Sequence, residues 1–553
     1  MKENYIDLME RTLSAYSREH IERYFADVKR DGLKEHGFPR LTANIGILIS
    51  FGRRIDLTEL FVGMMDLCCE SVPRVKAAND FSVKELIFCI MSLEERGGVD
   101  RVKTDYWREC LARIVPETCY NVYAVSPTDK VYNWALFTAL SEYMRQYAGL
   151  CEPSEFIEIQ LATQLQWLDE NKMYRDPNDP IVYDLVPRGL FSVLLHFSYN
   201  GKWKGEIDEC LRKTGLLTLR MQSVSGEIPY GGRSNQFLHN EAHFAIVAEY
   251  EARRYAREGN MALASAFKKG VGAALENISL WLSREPIRHI KNYYPTETKF
   301  GCENYAYFDK YMITTASFLY AAYLICDDAI PVSDEAENPD AFMLSEHFHK
   351  VFMRAGGYFL EFDTNADPHY DSSGLGRVHK MGAPSTVCMS VPCAASPVTV
   401  KDEENTSDIS LSAGYGCDGT LKFATDRATA YEVISLGCDE TSAYMKIKNV
   451  FEGGKTVFTD YGLDESGVRV DVRGDGEVAY MLPVFDFDGK GYTSVSVKDN
   501  TVEVLYDGWR CVYKSDGKII PTDLVGCNRN GRYKAYAAKG EGCLSVRIKI
   551  EGH

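Results

Sequence analysis

The chain has 553 residues, is 45% hydrophobic, and carries a formal charge of −17 without any long basic run. Contact with phosphate needs clustered Lys and Arg, so this balance excludes a general binder of nucleic acid or anionic membrane but leaves room for a local basic pocket. The charged, amphipathic start MKENYIDLMERTLSAYSREH lacks a signal-peptide core, and no stretch reaches the run of about 18 apolar residues that spans a bilayer, so a cytoplasmic protein is expected.

The length implies two or three domains. Sixteen Cys are scattered through apolar segments without paired spacing, as reduced core thiols are, and Cys388 and Cys393 are too isolated to read as a zinc site. Residues 1 to about 330 read as helices joined by short polar turns, among them Asn44–Phe51, Ser82–Arg96, Val131–Tyr147, Pro153–Glu170, Pro187–Ser198, His239–Arg257 and Tyr305–Cys326. Several are apolar on more than one face, which suits helices packed on both sides. No fixed-period repeat is present, so an (α/α) toroid is favoured over a solenoid.

Near Pro331 the acidic connector PVSDEAENPD intervenes, and the hydrophobic period then changes to two. Segments 357–363, 443–450, 467–473, 493–498, 501–506 and 544–550 alternate apolar with polar residues, with Asp475-Gly476 and Asp499-Asn500 as turns between strands. The expected architecture is α+β and multidomain. An N-terminal (α/α) toroid over residues 1–335 precedes an antiparallel β-sandwich over 336–553 whose sheets bury one face.

The chemistry is expected at YGGRSNQFLHNEAHFAIVAEYEARRY, residues 230–255. Gly231 and Gly232 allow positive φ or close backbone approach, and Ser234 or Asn235 can cap the helix that follows. Arg233, Asn235, His239 and Asn240 then gather at a helix N-terminus, where an anion is welcome. His243 lies one turn beyond His239, but no third ligand is signalled, so a two-His metal site is discounted.

A helical toroid followed by a β-sandwich, with Asn133-Trp134 in VYNWALF, the Asn/His turn at 235–243 and Glu303-x-Tyr305-x-Tyr307, resembles the heparinase II/III-like polysaccharide lyases. The resemblance implies an Asn or His that neutralises a uronate carboxylate, a Tyr acting as acid or base, and a His from the start of the β-domain. The usual His-Gly-His-Ala-Asp patch is replaced by DPHYDSSGLGRVHK, with Arg377 and His379. The Gly-Arg-Ser of GGRSNQF is also similar to helical-toroid β-glucuronidases.

The expected function is degradation of uronic-acid-containing oligosaccharides by β-elimination. His239, Tyr305, Tyr307 and His379 are the catalytic candidates, and Arg233, Asn235, Asn240, Glu303, Trp134 and Arg377 the substrate-binding ones. A hydrolase is the alternative and needs two carboxyl groups, for which Asp176, Asp179, Asp184, Glu241 and Glu303 are candidates. A non-catalytic glycan-binding protein is the third reading. The expected partner is an acidic oligosaccharide, with no nucleic acid, membrane, metal or cofactor required; a homo-oligomer is compatible with the sequence.

Overall fold

The computed structural model describes residues 1–295, 298, 300–332, 338–399, 406–425 and 429–553. Among them, fourteen α-helices lie between Lys2 and Ile325, and six close a ring. Gly37–Ser50 packs on Val83–Arg96, and the contacts continue through Trp134–Tyr147, Val182–His196, His239–Arg257 and Phe308–Ile325, which returns to Gly37–Ser50. The intervening helices lie outside: Thr58–Ser71 against Gly37–Ser50, Glu155–Leu165 against Trp134–Tyr147, and Met261–Leu282 against His239–Arg257. This is the (α/α) toroid.

Composition decides which ring a helix joins. Every residue of Gly37–Ser50 is buried, as an inner helix requires, whereas Arg18–Asp31 buries only Ile21, Phe25 and Val28, a single stripe. Two inner helices begin earlier than the hydrophobic period predicts, at Gly37 rather than Asn44 and at Val182 rather than Pro187. Pro39 is tolerated because it falls in the first turn, where its missing N–H has no helical partner to lose.

The last toroid helix ends at Ile325 and the first strand is Asp340–Met343; the expected boundary at 335/336 lies outside the described residues. The four strands Asp340–Met343, Lys350–Ala355, Tyr358–Asp363 and Gly374–Lys380 form one antiparallel sheet in chain order. A second sheet of eleven strands is built around the long pair Gly467–Phe487 and Gly531–Gly552. Val351, Met353, Leu360 and Phe362 of the first sheet share a core with Ile447, Val470 and Tyr480 of the second, giving a β-sandwich.

Two expectations need correction. The first sheet buries both faces, because Phe352 and Phe359 enter the helical core while their neighbours enter the sandwich. Glu361, Asp363, Arg377 and His379, the polar members of the alternation, are therefore buried against the toroid rather than exposed. Asp475-Gly476 is a bulge inside Gly467–Phe487 and not a turn between strands; the register shifts there between Arg473 and Glu477.

At Gly46 an added Cβ would fall 2.4 Å from Phe61 of an outer helix and from Cys89 Sγ of the neighbouring inner helix. Gly46→Ala is expected to lower stability by about 1–3 kcal/mol through overpacking. A thermal melt checks this, and an unchanged Tm would contradict the close approach.

Candidate active site

Ring closure brings the N-terminal turns of five inner helices, and Phe81 just before the sixth, to one cavity with about 670 Å³ of empty space, open solvent included. Its walls come from His36 and Arg40, Phe81, Asn133 with Trp134 and Phe137, Tyr183, Ser234 with His239, Asn240 and His243, and Tyr311 with Thr314 and Phe318. None of the six helices has a side-chain cap at its N-terminus. First-turn N–H groups have no helical acceptor, and each helix end carries roughly half a positive charge. Among the described residues, no Asp or Glu lines this cavity.

The glycine turn that enters the cavity is strained and held from outside. Gly231 (φ 138°), Gly232 (φ 72°), Ser234 (φ 60°) and Gln236 (φ 65°) all have positive φ, a conformation costing on the order of 1–3 kcal/mol at each non-glycine position. The β-domain grips this segment at alternate residues. Arg377 donates to Ile228 O (2.9 Å), and Tyr230 N and Gly232 N donate to Glu361 (3.1 Å) and Asp371 (2.9 Å). Arg529, between the last two strands, donates to Asn235 O, to Asn235 Oδ1 (3.2 Å) and to Glu303 Oε2 (2.5 Å). Glu303 in turn accepts from Ser234 N at 3.0 Å.

The sequence-predicted residues divide accordingly. Trp134, His239 and Asn240 line the cavity. Tyr305 is placed at its edge: its hydroxyl is 2.5 Å from Ser234 Oγ, which is 3.1 Å from the Tyr183 hydroxyl. Ser234 and Asn235 do not cap the helix; Leu238 stands at that position, and the Asn235 amide turns back to Gly232 O (2.8 Å). Arg233 is paired with Asp176 and lies 4.4 Å over the Tyr183 ring. Tyr307 and Glu303 line a separate, mostly apolar cavity with Ile287, Phe300 and Phe308.

His379 and Arg377 lie outside the inner-helix cavity, at the toroid–sheet interface. His379 Nδ1 is 2.6 Å from Ser223 Oγ, and Arg377 pairs with Glu361 (2.9 Å) and Glu227 (3.5 Å). Gly374-Leu-Gly-Arg377, open in the sequence to a reading as a turn that projects His379 towards the toroid mouth, is instead part of the strand Gly374–Lys380 of the first sheet. The hydrolase candidates are all paired: Asp179 with Arg175, Asp184 with Arg188, Glu241 with Lys291, and Glu303 with Arg529. Asp176 accepts from Asn133 as well (2.6 Å).

Sequence reasoning missed Arg40, His36, Tyr183 and Arg529. Arg40 left one signal, a single charge inside the apolar run GFPRLTANIGILIS. Tyr311, whose spacing of two and four with Tyr305 and Tyr307 also allows ordinary helix packing, reaches the cavity wall with its ring 6.0 Å from that of His239.

Burial sets the protonation states. It lowers the His239 pKa to about 3, with Arg40 adding to the effect, and pushes His36 and His243 well below their ordinary value. All three imidazoles are neutral at pH 7. Burial also raises Tyr311 to about 12 and Tyr305 higher still, so both keep their protons.

No family model matches the chain, and no curated protein matches it in sequence. Solved structures similar to it include heparinase III (8% identity, TM-score 0.38, 98% of this chain and 92% of that one). The heparan sulfate lyase HepC from Pedobacter heparinus gives 9% identity and a TM-score of 0.37 over 90% of this chain and 77% of that one. The chondroitin lyase ODV-E66, a baculovirus envelope protein, gives 8% and 0.44 over 92% and 76%. Likenesses at this level do not decide what the chain does.

Arg529 and Glu303 bury opposite charges across the domain interface, at 5% and 3% side-chain exposure. Removing either partner strands a buried charge, so Arg529→Met and Glu303→Gln should each destabilise by about 3–5 kcal/mol and the double variant by clearly less than the sum. Denaturant unfolding of the four proteins checks this; strict additivity would contradict it.

Proposed function

We propose that the protein is a carbon–oxygen lyase that cleaves uronic-acid-containing oligosaccharides by β-elimination at the inner-helix cavity. The observation that supports this reading best is the composition of the cavity wall: five uncapped helix N-termini with His, Asn, Tyr and Arg, and no carboxylate among the described residues. A cleft built this way attracts an anion, and it lacks the paired acids on which glycoside hydrolysis depends.

In this reading the amide of Asn240 hydrogen-bonds the uronate carboxylate as it gains enolate character. Neutral His239 takes the C5 proton, the C5 electron pair forms the C4–C5 double bond, and the C4–O bond breaks. Tyr311, held in its protonated form, gives its proton to the departing oxygen. Tyr305 and Tyr183 position Ser234 between them, and Trp134, 38% exposed at the cavity wall, offers a ring face to the sugar.

The test is product chemistry. Incubation with a 4-linked uronide should generate the ultraviolet absorbance of an unsaturated uronate; new reducing ends without that chromophore would establish hydrolysis instead. His239→Ala and Tyr311→Phe should each lower kcat by roughly 10²–10⁴-fold with little loss of stability. Because burial holds the free-enzyme His239 pKa at about 3, kcat/KM should not fall as pH passes down through the ordinary histidine value of about 6.5. An acid limb centred there would contradict His239 as the base.

A further inference from the structure

Beneath the cavity lies a buried charge imbalance. Arg40, 2% exposed, donates from Nε to both Glu85 oxygens at 3.0 Å and from Nη1 to Thr314 Oγ1 at 2.8 Å. Lys84, 3% exposed, also relies on Glu85, at 3.1 Å, and on the carbonyl of Phe81 at 2.5 Å. Glu85 accepts from Ser317 as well (2.6 Å). Two buried cations thus share one carboxylate, and a buried charge is expensive unless it is paired. Arg40 Nη2 also lies 2.8 Å from Glu85 Oε1, so Glu85 holds one edge of the guanidinium, while Nδ1 of His36 and of His243 have no hydrogen-bond partner among the described residues. Both histidines are at least nine-tenths buried and line the same cavity as Arg40.

We propose that Arg40, with His36 and His243, forms a subsite for one oxyanion carried on a sugar ring, a carboxylate or a sulfate, and that this oxyanion supplies the missing negative charge. The inference deepens the elimination reading and rests on it for the choice of a sugar ligand. Arg40 supplies charge, and the Asn240 amide supplies neutral hydrogen bonds to the same group. The guanidinium suits the task because its fork can keep Glu85 on one edge and present another edge to a second oxyanion. Lys84 then serves as a positioning residue, since it keeps Glu85 from claiming the whole of Arg40.

Equilibrium binding on the full chain tests this without catalysis, with glucuronate, glucose, glucose 6-sulfate and inorganic sulfate as probes and circular dichroism to confirm folding. Arg40→Gln should weaken glucuronate by about 10- to 100-fold, the loss of a charge-assisted hydrogen bond, and leave glucose unchanged. Glu85→Gln removes the competing carboxylate and should tighten glucuronate; Arg40→Lys should recover part of the loss. Glucose 6-sulfate responding alike would extend the subsite to sulfated sugars, and a response from glucuronate alone would restrict it to carboxylates. A merely structural role would make Arg40→Gln and Glu85→Gln shift affinity in the same direction, and that result overturns the proposal, as does inorganic sulfate binding as tightly as the sugars. Unsaturated product formed without any Arg40 dependence of binding would overturn the subsite alone. Arg40-dependent binding without unsaturated product would overturn the elimination reading alone.

Discussion

The structure depends on one geometric constraint: the six inner helices run in the same sense. Between each inner helix and the next, the chain returns through at least one outer helix, so every inner helix starts at the same rim. The consequence is electrostatic. Helix dipoles that would be scattered in another fold are directed at one cavity with about 670 Å³ of empty space, open solvent included. A carboxylate placed in that wall would cancel the effect, and all five carboxylates flagged for hydrolysis are instead paired with Arg or Lys.

The β-sandwich completes the same device from outside. The toroid alone would have to keep a turn with four positive-φ residues in place, and the first sheet and Arg529 share that work through Ile228, Tyr230, Gly232, Asn235 and Glu303. Burial raises the Asp371 pKa to about 7 against the opposing pull of Lys350. Asp371, the Gly232 anchor, therefore changes charge near neutral pH; because burial raises its pKa in the folded protein, the stability it lends is present below its ordinary value and is lost as pH rises toward 7.

Much of this was legible in the sequence, for identifiable reasons. Periodicities of 3.6 and 2 are local properties, so the helical and strand regions and the helix His239–Arg257 could be read directly. Burial between domains is not local: the alternation at Phe359, Glu361 and Asp363 looks like that of a half-exposed strand, and only the toroid packed on it makes the polar face a buried charge layer. Distance in sequence hid the site in the same way. Arg40 and Tyr311 share one cavity wall although some 270 residues separate them, and Arg529 reaches Glu303 from the far end of the chain. The glycine turn drew attention correctly, but its Arg233 is occupied by Asp176. The cation that faces the cavity sits in an apolar helix and carries no motif.

The most direct measurement is a crystal structure of the full chain soaked with a uronate disaccharide. The account predicts sugar density in the inner-helix cavity, with its carboxylate within hydrogen-bonding distance of Arg40 or of the first-turn N–H groups and its ring beside His239 and Tyr311. Density confined to the apolar cavity between Ile287 and Phe308, or to the β-sandwich, would contradict the claim that the convergent helix ends are the site.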